Sequence, residues 1–157
     1  PNNSILDIGA GRGDLFNFIQ DFYGVESIDY FGIEQNPLLC DAATKKYNID
    51  LLNSIFTTKS TLPKKDWVVA SGLFFERKCE TEDQDLQKLL DEIDLMYDAA
   101  NVAVSFNLLS PINNEIHDGQ FYVHPGLIMD MMIEKYQLVS VKHNYSNSVY
   151  TVTIYKF

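Results

Sequence analysis

Apolar and polar positions along the chain follow two alternating periods. Ser4 to Ile8 is a short apolar run, broken by one acid, that ends in Gly9-Ala10-Gly11-Arg12-Gly13. Such a run closed by glycines reads as a buried strand and a turn. Directly after it, Leu15, Phe16, Phe18, Ile19, Phe22 and Tyr23 fall at offsets of 0, 1, 3, 4, 7 and 8, one stripe of helical period, and Gly24 supplies a stop. Asp29-Tyr30-Phe31-Gly32-Ile33-Glu34 is rich in β-formers. Asn36 then offers a cap, and Pro37 suits the first position of a helix reaching about Tyr47. Ile49 to Asn53 and Asp66 to Ser71 read as third and fourth strands, the latter entered from the turn-prone Leu62-Pro63-Lys64-Lys65 and stopped by Gly72.

From Glu80 to Asp98 the chain holds eight acids and one lysine. Beneath that charge Leu86, Leu89, Leu90, Ile93, Met96 and Tyr97 keep the helical period, which predicts a surface helix lying on a sheet. Asn101 to Asn107 gives a fifth strand, and Pro125 to Tyr136 a helix with Leu127, Ile128, Met131 and Met132 inward. Leu138 to His143 and Val149 to Phe157 are β-rich, and the short Asn144–Ser148 link lets them pair as an antiparallel hairpin. Strand–helix alternation of this kind demands a mostly parallel sheet covered on both faces. The expected class is therefore α/β: a Rossmann-like, doubly wound, seven-stranded sheet whose C-terminal hairpin adds an antiparallel strand.

Size and charge narrow this further. At 157 residues, 46% hydrophobic, the chain is enough for one domain with a proper core. Twelve Lys plus Arg stand against twenty-two Asp plus Glu, a net charge of -10, so nucleic acid is disfavoured as a partner. Cys40 and Cys79 lack the spacing of a disulfide framework or a zinc site, which points to a reducing cytoplasm and implies no metal. No apolar run has the length of a membrane span, and the first residues do not read as a signal peptide.

The chemistry concentrates at the first turn. In open α/β sheets, ligands lie beyond the carboxyl ends of the strands, where the strand order reverses, and the loop after the first strand borders that place. Glycines let the backbone turn tightly and approach a ligand without a Cβ between. A dinucleotide fingerprint would need glycine or alanine at position 14; Asp14 stands there instead and sets a carboxylate where a pyrophosphate would lie, which weakens an NAD- or FAD-dependent oxidoreductase reading. Glu34, 21 positions after Gly13, can accept both hydroxyls of a ribose. A nucleoside with a short, charged, phosphate-free tail fits best. That reading requires Glu34 to face the glycine bend and the bend to border open space.

These residues resemble a known family. Ile5-Leu6-Asp7-Ile8-Gly9-Ala10-Gly11-Arg12-Gly13-Asp14 is similar to the first motif of class I S-adenosylmethionine-dependent methyltransferases, and Tyr30-Phe31-Gly32-Ile33-Glu34-Gln35-Asn36-Pro37 to the second. Asp66 to Phe74, Val102 to Asn107 and the closing hairpin are similar to the later strands, so the likeness covers the whole chain. The resemblance implies S-adenosylmethionine as cofactor. Asp7 and the backbone of Gly9, Ala10, Gly11 and Gly13 would hold its methionine portion, Glu34 its ribose hydroxyls, and Gln35 would lie beside the adenosine. Ser71, Gly72 and Leu73 would line the pocket near the methionine amino group. Where the family often has an acid touching the adenine amino group, this chain has Ser54, followed by Ile55. The family's N-terminal helical cap is expected to be missing before Pro1.

A sulfonium methyl is already electrophilic, so alignment of a nucleophile is the main requirement, and no universal catalytic residue is expected. The Ser71–Glu76 loop lacks the Asn/Asp-Pro-Pro-aromatic signature of enzymes that methylate base or amide nitrogens. A small molecule or a protein is therefore the expected acceptor. Asn107 and the cluster from His117 to His124, with Asp118 and Tyr122, are acceptor-side candidates, each with a plain alternative: His124 as a helix cap, His117-Asp118 as a solvated turn, His143 as a strand residue. Phe74, Phe75 and Tyr122 line either an apolar acceptor pocket or the core. The competing function is a protein that binds the cofactor or its demethylated product without catalysis.

Overall fold

The computed structural model describes residues 4–23, 28–112 and 115–156. Gly24, the expected helix stop, and Phe157 lie outside them. In chain order the elements are β1 (Ser4–Ile8), α1 (Asp14–Tyr23), β2 (Asp29–Glu34), α2 (Pro37–Tyr47), β3 (Leu52–Asn53), β4 (Lys65–Ala70), α3 (Glu82–Ala99), β5 (Ala100–Leu109), α4 (Pro125–Tyr136), β6 (Val139–Lys142) and β7 (Val149–Tyr155). The strands form one sheet in the order β3-β2-β1-β4-β5-β7-β6. The first five pair in parallel, and β7 runs antiparallel to both β5 and β6. The chain builds outward from β1 to β3 and then crosses to β4 on the other flank, so the strand order reverses between β1 and β4.

Strand alternation divides the sheet into two faces. Leu6, Ile8, Val68, Ala70, Val104, Phe106, Leu108, Tyr150, Val152 and Ile154 point to one side, where they meet Leu89, Ile93 and Met96 of α3 and Ile128, Met132 and Tyr136 of α4 in one continuous core. Asp7 and Tyr30 lie on the other side, with the Phe16 ring of α1 5.2 Å from that of Tyr30. Farther along this second face Trp67, Val69, Ser105 and Thr153 are half-buried.

Two expectations are corrected, the start of the third strand and the inward side of Leu127. The third strand does not begin at Ile49. Ile49 and Leu51 instead sit over Gly13 and Gly32, so close that a Cβ on either glycine would fall 2.4 Å from them, and only Leu52 and Asn53 remain for the ladder. In α1, Leu15, Phe16 and Ile19 are half-buried, whereas Phe18, Phe22 and Tyr23 are 50%, 70% and 66% exposed, with Phe18 stacked on Phe22 and Tyr23 edge-on to both. Leu127 is likewise exposed, because Ile128, Met132 and Tyr136 carry the buried stripe of α4. Helix α3 starts at Glu82, where Thr81 and Gln84 form a reciprocal capping box.

Candidate cofactor site at the strand-order reversal

The glycine turn is built on left-handed backbone. Gly9, Gly11 and Gly13 have φ of 75°, 58° and 77°, a region that residues with a Cβ rarely adopt. The amides of Gly9 and Ala10 donate to the Ile33 carbonyl at 2.8 and 3.0 Å, and that of Gly13 to Ala10 at 2.9 Å. The Gly11 amide donates to Glu34 Oε2 at 2.9 Å, while Glu34 Oε1 accepts from the Asn36 amide at 2.8 Å. Glu34 therefore faces the bend, buried at 7% exposure. A carboxylate offers about four lone-pair sites, so two remain after these bonds. Asn53 braces the same strand end by donating to the carbonyls of Glu34 and Gln35.

Behind the turn, Asp7 is 3% exposed and accepts from the Tyr30 hydroxyl at 2.7 Å. Burial pushes its carboxyl up to about 6, the Tyr30 bond works against that, and the nearby Glu34 charge adds to it. Asp14 points away from the turn toward α2, accepting from Tyr47 at 2.7 Å and Lys46 at 3.3 Å. The Tyr47 hydroxyl is the main reason its carboxyl is held below the ordinary range.

A cavity of about 420 Å³ opens beside the bend, within the size range of a small-ligand site. Gly9, Glu34 and Gln35 form one wall, and Ser54, Ile55, Phe56 and Thr57 after β3 form a second. A third is Ser71, Gly72 and Leu73 after β4, and Glu76, Lys78 and Lys88 close the far side. Of the expected site residues, Gly9, Glu34, Gln35, Ser54, Ile55, Ser71, Gly72 and Leu73 thus share one cavity, whereas Asp7, Ala10, Gly11 and Gly13 do not line it. A Cβ on Gly9 would stand 3.3 Å from Leu73 Cδ1, so the glycine lets the Leu73 side chain pack directly against the turn. Phe56, Thr57, Glu76, Lys78 and Lys88 escape a reading by sequence, since no motif marks them.

The acceptor-side candidates separate. Asn107 buttresses the third wall: its Oδ1 accepts from the Gly72 amide at 2.7 Å and its Nδ2 donates to Ser71 Oγ at 3.3 Å. His117, Asp118, Gln120 and Tyr122 line a different cavity, with Arg77 and Glu82. His124 caps α4, its Nδ1 accepting from the Gly126 amide at 3.1 Å. Phe74 is core, edge-on to Phe106, and His143 sits edge-on to Tyr150. Among the described residues no group of three or more His, Cys, Asp or Glu converges on a possible metal position, and no helix is long and apolar enough to cross a membrane.

No family model matches the chain. A curated relative, "Putative methyltransferase Rv1506c" of Mycobacterium tuberculosis, is 26% identical over 157 residues, which span 98% of this chain and 93% of the relative. Magnesium protoporphyrin IX methyltransferase from Synechocystis PCC 6803, solved with bound S-adenosylmethionine, superposes with a TM-score of 0.69 at 9% identity, covering 100% of this chain and 71% of that one. An S-adenosylmethionine-dependent methyltransferase from Aquifex aeolicus gives a TM-score of 0.61 at 14% identity over 98% of this chain and 82% of its own. In sequence and in fold, then, the chain resembles the class I S-adenosylmethionine-dependent methyltransferases, with the same seven-stranded sheet ending in antiparallel strands.

Proposed function

We propose that this chain transfers a methyl group from S-adenosylmethionine to a small-molecule or protein acceptor. The observation that carries the reading is the Glu34 carboxylate clamped between the Gly11 and Asn36 amides at the edge of an open cavity. The residues present fit the cofactor. Glu34 retains lone pairs for two ribose hydroxyls, and the cavity of about 420 Å³ beside it has room for a small ligand. When bound, S-adenosylmethionine supplies an electrophilic methyl on sulfur.

The chain's own task is then orientation. Glu34 fixes the ribose, and Asn107 holds the Gly72 amide and the Ser71 hydroxyl. The net charge of -10 supports an acceptor other than nucleic acid. The free cysteines, Cys40 and Cys79, agree with a reducing cytoplasmic setting.

Calorimetry with S-adenosylmethionine, S-adenosylhomocysteine and NAD tests the binding, and transfer of a tritiated methyl group to metabolite and protein pools tests the reaction. Binding of both sulfur nucleosides without NAD, together with labelled product, is expected. Glu34→Ala is expected to weaken nucleoside binding at least tenfold. Binding of NAD in preference to either sulfur nucleoside overturns the proposal, and cofactor binding without transfer to any pool favours a non-catalytic binder.

A further inference from the structure

The far side of the cofactor cavity is a strap, residues 75–79, whose shape is imposed from outside the cavity. Glu76 bridges Gln120, the Arg77 amide donates to the Gly119 carbonyl at 2.9 Å, and the Phe121 amide donates to Phe75 at 2.9 Å. Asp85, 5% exposed in the first turn of α3, accepts from the Lys78 and Cys79 amides at 2.8 and 3.0 Å and from Arg77 Nε at 3.3 Å. Glu76 and Lys78, both exposed, line the cofactor cavity, while Arg77 between them lines the other one.

Neither charge is neutralised there. The Glu76 side chain has no hydrogen bond or ion pair among the described residues, and Lys78 Nζ donates only to the Leu73 carbonyl, at 3.2 Å. Lys88, by contrast, is paired with the buried Glu92. On the opposite wall, Ser54 and the exposed Ile55 stand where an adenine-binding acid is expected, and the Ser54 amide is already bonded to the Glu34 carbonyl.

We infer that Glu76 and Lys78, held in register by the Asp85 clasp, form an acceptor–donor pair that reads the amino edge of adenine: Glu76 accepts from the exocyclic amine and Lys78 donates to the adjoining ring nitrogen. Adenine specificity is thereby moved from the β3 side of the cavity to the β4–α3 strap. This assignment rests on the S-adenosylmethionine reading above. A base with oxygen at that position and a protonated ring nitrogen opposes both groups, acceptor to acceptor and donor to donor, and sites built on such bonds reject mismatched analogues strongly.

The test compares S-adenosylhomocysteine with S-inosylhomocysteine by calorimetry. The intact chain is expected to prefer the adenosyl form at least a hundredfold. Glu76→Ala and Lys78→Met, which leave the backbone clasp in place, are each expected to lose tenfold or more of that preference, with melting temperatures confirming the fold. Equal binding of the two ligands by the intact chain, or full preference retained in both variants, overturns the assignment while leaving the cofactor reading intact. Failure of the intact chain to bind S-adenosylhomocysteine at all overturns both.

Discussion

Asp7 shows how one buried acid on the strand before the glycine turn can be a structural cost. Its carboxyl sits at about 6 in the fold against 3.8 in an ordinary setting, so the folded chain holds the proton more tightly than the unfolded one. The sign follows: stability from this group is fullest below pH 4 and is lost as pH rises toward 6, leaving a penalty of about 3 kcal/mol at neutral pH. Asp7→Asn keeps an acceptor for Tyr30 and removes the titration. Its melting temperature is expected to exceed that of the parent at pH 7.5, with the gain vanishing near pH 4; a gain unchanged with pH would contradict this. The glycines of the turn also differ from one another. A Cβ added at Gly11 meets open space, whereas at Gly13 the added atom meets Ile49 at 2.4 Å. Chemical denaturation is expected to show a loss of about 1 kcal/mol for Gly11→Ala and about 2–3 kcal/mol for Gly13→Ala.

Elements are legible where one periodicity meets a recognisable end. Helix α2 matches its reading from Pro37 to Tyr47 because Asn36 accepts from the Leu38 amide and proline opens the first turn. Helix α3 starts two residues later than its charge run because the acids at its entry share one polarity and conceal the cap. Thr81→Ala is expected to lower stability by about 1 kcal/mol, measured by denaturation, and Thr81→Ser to restore most of it. Strand β3 is short because its β-formers, Ile49 and Leu51, fill the gaps above two glycines, a tertiary use that local propensity does not record. The apolar stripe of α1 obeys helical period, yet its Phe18, Phe22 and Tyr23 are exposed, since period reports a shared side and not what lies against it. Phe22→Lys is therefore expected to change stability by less than about 0.5 kcal/mol.

For the molecule as a whole, topology assembles what sequence order separates. The glycine turn and Glu34 are readable because they belong to one contiguous βαβ unit, and the pairing of Asp7 with Gly32 and Ile8 with Ile33 sets their strand ends side by side. The strap carrying Glu76 and Lys78 reaches the same cavity only because β4 lies beside β1 and a buried carboxylate on α3 folds the chain back. Asn107, an acceptor-side candidate by sequence, accepts from the Gly72 amide and donates to the Ser71 hydroxyl, contacts that depend on β5 lying next to β4. The functional reading turns on how the nucleoside lies against Glu34, and a crystal structure with S-adenosylhomocysteine measures that directly. The ribose hydroxyls are expected within about 3 Å of the Glu34 carboxylate, with the homocysteine tail running past Gly9 toward Ser71. A ligand seated instead among His117, Gln120 and Tyr122, or one whose ribose turns away from Glu34, would contradict it.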